Sequence, residues 1–108
     1  MDWLKLEIFI PESHLSVLQA ALQEADAGHI GNYDSCLSYS RVRSTWRPLS
    51  GANPYIGNVG AVSEEAELKV EVNVLKSKLQ STLRAIRRVH PYEEPVINVI
   101  PLYSENEV

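Results

Sequence analysis

The segment His90-Pro91-Tyr92-Glu93-Glu94-Pro95 gathers an imidazole, a phenol and two carboxylates between two prolines. Such groups suit acid–base work or the recognition of a polar ligand. The prolines fix the chain path, because each removes a backbone donor and disfavours helix in the residue before it. His90 falls at the end of a helical pattern, where the helix dipole favours the imidazolium. Adjacent residues of an extended segment point to opposite sides, so Glu93 and Glu94 are expected to have two separate jobs. The competing reading is a rigid helix terminator whose histidine and tyrosine pack inward, and connectors of that kind are the commoner case.

Other candidates are scattered. Gly28-His29-Ile30-Gly31-Asn32-Tyr33-Asp34 has the glycines of an anion-holding loop, but it lacks Gly-Lys-Ser/Thr and closes a helix instead of opening one, so a tight turn is expected. Cys36, His29 and His90, with a glutamate, would make a soft divalent-metal site. No Cys-x-x-Cys or His-x-x-x-His spacing supports it within the chain, which leaves a site shared between subunits. Glu67 and Glu71 flank Lys69 on one strand face and read as a charge-balanced surface, solvated or facing a subunit. Arg47 and Tyr55 sit in a long loop, and loops of such length often serve ligands or partners. His90, Tyr92, Glu93, Arg47, Tyr55 and Tyr33 are the candidate ligand contacts. No Ser-His-Asp constellation or nucleotide fingerprint is present.

The elements that must position these residues follow from periodicity. Leu4, Leu6, Ile8 and Ile10 alternate as a first strand. Pro11-Glu12-Ser13 interrupts it and supplies an N-cap, and Leu15, Leu18, Leu22 and Ala25, joined by Val17 and Ala21, form a helix face to about Asp26, with Gly28 as its left-handed C-cap. A second strand is expected over 34–43 and a glycine- and proline-rich loop over 45–63. The third strand, Glu65 to Val74, alternates most clearly. A second helix over 76–89 buries Leu79, Leu83, Ile86 and Val89 or His90. Val96 to Ile100 makes the fourth strand, and the tail from about 103 to 108 is expected to fray.

The order βαββαβ predicts an α+β, ferredoxin-like sandwich: a four-stranded antiparallel sheet in order 4-1-3-2 with both helices on one face. Strand four is apolar on both faces and lies at an edge, so self-association that covers it is expected. With 108 residues there is room for one domain spanning 1–108. A net charge of −4 gives no pull toward nucleic acid or anionic membrane. One cysteine suits the reducing cytoplasm, the first residues lack the pattern of a signal peptide, and no apolar run is long enough to span a bilayer.

Taken together, Gly28 to Cys36, Arg47-Pro48, Asn53-Pro54-Tyr55-Ile56-Gly57 and His90 to Pro95 resemble the insert domain of the Nif-three-like family, in the same order and over nearly the whole chain. His90-Pro91-Tyr92 also resembles a motif of the divalent-cation-tolerance protein CutA, which shares its fold with the PII signalling proteins. The resemblance implies a PII/CutA-like homotrimer. Where the family tends to Gly-x-Gly-x-Phe-Arg-Pro, this chain has Arg43-Ser44-Thr45-Trp46-Arg47-Pro48. The metal site and the GTP-cyclohydrolase label of longer relatives are tied to a separate domain and are not carried over. The expected function is a non-enzymatic trimeric module that binds a small ligand, a divalent metal ion or a partner protein at subunit clefts. The alternatives are a small hydrolase using His90 and Glu93 across an interface, and a purely structural oligomerisation unit for a larger metal-binding protein.

Overall fold

The alternation of Leu4, Leu6, Ile8 and Ile10 becomes strand β1 (Trp3–Ile10), in which every second residue is buried. In the computed structural model, which describes residues 2–108, there follow helix α1 (Leu15–Glu24), β2 (Ser38–Trp46), β3 (Ser63–Leu75), α2 (Leu79–Val89) and β4 (Ile97–Leu102). The sheet order is β2-β3-β1-β4, and every neighbouring pair is antiparallel, as the βαββαβ order requires. The register sets Leu4 opposite Val74, Leu6 opposite Val72, Ile8 opposite Val70 and Ile10 opposite Leu68. These eight side chains form one apolar face, closed by Leu18 and Leu22 of α1 and Ile86 of α2. Fully burying each such side chain stabilises the fold by about 1.5–3 kcal/mol relative to leaving it exposed.

Helix starts differ from the expected caps. Each helix is entered through a short 3-10 turn, Glu12–His14 and Lys76–Lys78, and neither uses a side-chain N-cap. Ser13 instead meets the His14 ring at 2.9 Å, and the His14 N–H is satisfied by the Pro11 carbonyl. Val17 lies off the buried stripe of α1, formed by Leu18, Ala21 and Leu22 with Leu15 partly buried beside it, and is exposed. The end of α1 is also corrected. Asp26, not Gly28, takes the left-handed capping position with φ 63°. Its N–H donates to Gln23 and that of Ala27 to Leu22, the paired bonds of a Schellman cap.

Gly28 has a different task. Its N–H donates to the Asn73 carbonyl of β3 and its own carbonyl accepts from Cys36, which ties the helix exit to the sheet. Residues 30–36 remain part of this turn, with Ile30 and Tyr33 exchanging two backbone bonds, so β2 begins at Ser38 and not at 34.

β4 is shifted as well, running from Ile97 and tolerating Pro101 because nothing pairs with its outer edge. No helix covers this edge, so Val99 is 40% and Ile100 36% exposed although they face opposite sides of the sheet. Away from the helices the sheet is polar at its centre: Lys5 pairs with Glu71 at 2.5 Å and Lys69 with Glu7 at 3.2 Å. Beyond β4, Glu105–Glu107 forms a 3-10 turn. Among the described residues no helix is long and apolar enough to cross a membrane.

A Cβ on Gly28, at φ +70°, would stand 2.4 Å from the Cys36 carbonyl oxygen, whereas one on Gly31, at φ +58°, meets nothing within 4 Å. Gly31→Ala should therefore lose only the left-handed penalty, about 1–2 kcal/mol. Gly28→Ala should lose clearly more, as read from urea unfolding midpoints of the two variants. Equal losses would mean that the close approach at Gly28 is not a constraint.

Candidate functional site

Pro91 forces His90 out of the helix, and His90 adopts extended backbone at φ −73°, ψ 130° as the C-cap of α2. Its ring turns inward and is only 8% exposed. Nε2 lies 2.7 Å from the carbonyl of Phe9 in β1, and the backbone N–H of Tyr92 donates to Nδ1 at 3.2 Å. A carbonyl only accepts and an amide N–H only donates, so the partners assign the neutral ring with its proton on Nε2. Burial holds the His90 pKa below the ordinary histidine value, against the opposing pull of the Phe9 carbonyl and Glu67. The expectation of a helix-end imidazolium is thus overturned: desolvation outweighs the dipole, and Nδ1 faces a donor. With both nitrogens engaged, His90 has no lone pair to offer a metal or a proton transfer.

The connector then carries Tyr92 across the end of the sheet, where its hydroxyl donates to Glu67 Oε2 at 2.7 Å. The sequence pattern places Glu67 on a charge-balanced surface, solvated or facing a subunit. It is instead 4% exposed: on β3 it stands opposite Val42 and is met by the Tyr92 hydroxyl, while Lys5 and Lys69 pair with Glu71 and Glu7. Burial, followed by the bond to Glu67, raises the Tyr92 pKa far above the ordinary tyrosine value, so the phenol stays protonated as a donor. Tyr92 also anchors a set of rings, with Trp46 at 5.8 Å, Tyr55 at 5.9 Å and His90 at 5.0 Å between centroids.

The 47–62 loop folds back over these rings. The Trp46 indole N–H donates to the Ile56 carbonyl at 3.1 Å, and the Asn53 N–H donates to Glu93 Oε1 at 2.8 Å. Between loop, connector and sheet lies a cavity of about 560 Å³, walled by Phe9, Trp46, Pro48, Pro54, Ile56 and Val96, with Glu67 and Tyr92 among its polar groups. Glu93 and Glu94 both line it, at a point where the chain bends instead of running extended, and the Glu93 carboxylate is taken up by the Asn53 N–H.

Of the ligand-contact candidates, Arg47, Tyr55, Tyr92 and Glu93 meet at this cavity, and His90 supports it from behind. Tyr33 does not: it is 75% exposed in the turn after α1 and does not line the cavity. The metal candidates are not brought together within the chain. His29 bonds to Asp26 through Nδ1 and to the Gly31 carbonyl through Nε2, Cys36 to the Asp34 carbonyl, and His90 to Phe9. Among the described residues no three His, Cys, Asp or Glu side chains could hold a metal ion. Phe9 and Glu67 are site residues that the sequence pattern does not single out as ligand contacts. The absence of a lysine facing Glu67 across the β2–β3 ladder was the available signal, but reading it requires the register.

Comparison with known proteins agrees with this architecture. No family model matches the chain. A "GTP cyclohydrolase 1 type 2 homolog" of Halalkalibacterium halodurans is 41% identical over 103 residues, 95% of this chain and 28% of that protein. A Bacillus cereus protein related to NIF3 has 31% identity and a TM-score of 0.84, covering 95% of this chain and 26% of that one. The periplasmic divalent cation tolerance protein CutA of Archaeoglobus fulgidus superposes with a TM-score of 0.70 over 94% of this chain and 85% of its own, at 16% identity, which is a likeness of fold. The chain thus spans about a quarter of the length of the first two proteins.

A buried neutral histidine has a defined pH signature. Because the folded-state pKa of His90 lies below that of the unfolded chain, the unfolded chain binds more protons in this window. The contribution of His90 is complete above about pH 6.5 and is lost as pH falls through its folded-state value. Unfolding midpoints should therefore drop on acidification from neutrality, and a His90→Gln variant, less stable at pH 7.5, should show a flatter profile. An unchanged slope in the variant would contradict the assignment.

Proposed function

We propose that this relative of the Nif-three-like proteins, with the fold of CutA, is a non-catalytic homotrimeric module that binds a small ligand in the cavity between the 47–62 loop and the 90–96 connector. The cavity carries the reading. Its volume of about 560 Å³ falls in the range of small-molecule sites, and its walls are mainly apolar with a few convergent polar groups. The polar groups present do not form a nucleophile–base pair, and His90, behind the cavity, is held neutral by two backbone partners. A divalent-cation site would need ligands from more than one chain, given where His29, Cys36 and His90 are bonded.

Self-association is supported by β4, whose exposed Val99 and Ile100 stand on an unpaired edge. The lone thiol of Cys36 suits work in the cytoplasm. The function of the full-length relatives is not extended to this chain, which covers so little of them.

Two measurements test the reading. Neutral indole, followed by backbone amide shifts, should perturb residues of the 47–62 loop and the 92–96 connector, and Ala52→Trp, which fills the cavity from its wall, should abolish the effect. Perturbation elsewhere, or none, would overturn the cavity as the site. Light scattering at micromolar concentration should give a mass near three times the 12.1 kDa of one chain, falling to one chain for Ile100→Lys; a wild-type monomer would overturn the trimer.

A further inference from the structure

The charged groups of the cavity are mainly of one sign. Glu67, Glu93 and Glu94 line it against the single guanidinium of Arg47, which lies exposed at its rim. Glu67 is the informative member. It is 4% exposed and accepts a hydrogen bond from the neutral Tyr92 phenol, yet among the described residues no lysine or arginine pairs with it. The two lysines on its own sheet face, Lys5 and Lys69, are engaged with Glu71 and Glu7. A buried carboxylate without a cation leaves an electrostatic deficit that a cation brought into the site would relieve.

The surrounding rings point the same way. Trp46 and Tyr55 stand 5.8 and 5.9 Å from Tyr92, and Phe9 adds a fourth aromatic wall. Aromatic faces attract cations within about 6 Å of the ring centroid, most strongly when water is excluded. Resting on the reading of this cavity as a ligand site, we propose that its ligand is a small organic cation. An ammonium or guanidinium group, carried on an apolar or aromatic body, would sit against Glu67 in the cavity that the Trp46, Tyr55 and Tyr92 rings line. The same carboxylates disfavour phosphate- or carboxylate-bearing ligands of equal size.

Calorimetric titration of the full chain with three probes of one shape separates the terms: tryptamine as cation, indole as neutral body and indole-3-propionate as anion. Tryptamine should bind at least about tenfold more tightly than indole, and indole-3-propionate more weakly than indole. Glu67→Gln keeps an acceptor for Tyr92 and should bring tryptamine to within about threefold of indole, with both probes measured on that variant. The wild-type series decides the charge preference even where that variant fails to fold. Indole binding without charge preference, or a preference that survives Glu67→Gln, overturns the cation proposal and leaves the ligand site standing. No binding by any of the three overturns both.

Discussion

The hydrogen bond from the His90 ring to the Phe9 carbonyl is the contact on which the rest of this molecule turns. It joins the last turn of α2 to the end of β1, and the second ring nitrogen fixes the backbone of Tyr92. The connector leaves that point with its direction set, so Tyr92 crosses the sheet end and reaches Glu67 on β3. The strands β1 and β3 and the helix α2 are thereby held by one neutral, buried imidazole. Removal of such a ring would take the partner from a half-buried carbonyl and a half-buried amide, each a loss of about 1 kcal/mol.

From this anchor the two faces of the sheet acquire different roles. One face, built on Leu6, Ile8, Val70 and Val72, is spent on packing against the helices and fixes the strand register. The other is cross-linked by half-buried ion pairs of small individual worth. At the end of that second face the pattern breaks. Glu67 continues the polar alternation of β3 but meets Val42 and Tyr92 instead of a lysine, and the 47–62 loop covers it with rings. The cavity is therefore a consequence of strand alternation carried one step beyond the charge-paired centre. The apolar β4 edge on the opposite side of β1 is left to another chain in the proposed assembly.

Strand alternation and helix periodicity made the fold legible: the sheet order, the antiparallel pairing and the single helical layer all follow from the βαββαβ pattern. Boundaries moved where backbone bonds outweighed side-chain pattern, as at Gly28 and Cys36, which delay β2, and at Asp26, which caps α1 in place of a glycine. Half of the site was legible in His90, Tyr92, Glu93, Arg47 and Tyr55, because prolines and aromatic residues marked two irregular segments. Glu67 was not, since a glutamate in an alternating strand has the same pattern whether water or a phenol lies above it. His90 was legible as a special residue but not in its protonation state, which depends on burial and on two backbone partners distant or adjacent in sequence.

The most direct test of this architecture is the nitrogen NMR spectrum of the imidazole of His90 at neutral pH. The structure predicts a neutral ring protonated at Nε2, with a proton that couples across the hydrogen bond to Phe9 and exchanges slowly with water. An imidazolium, or a ring protonated at Nδ1, would contradict it, because neither can accept the Tyr92 amide while donating to the Phe9 carbonyl.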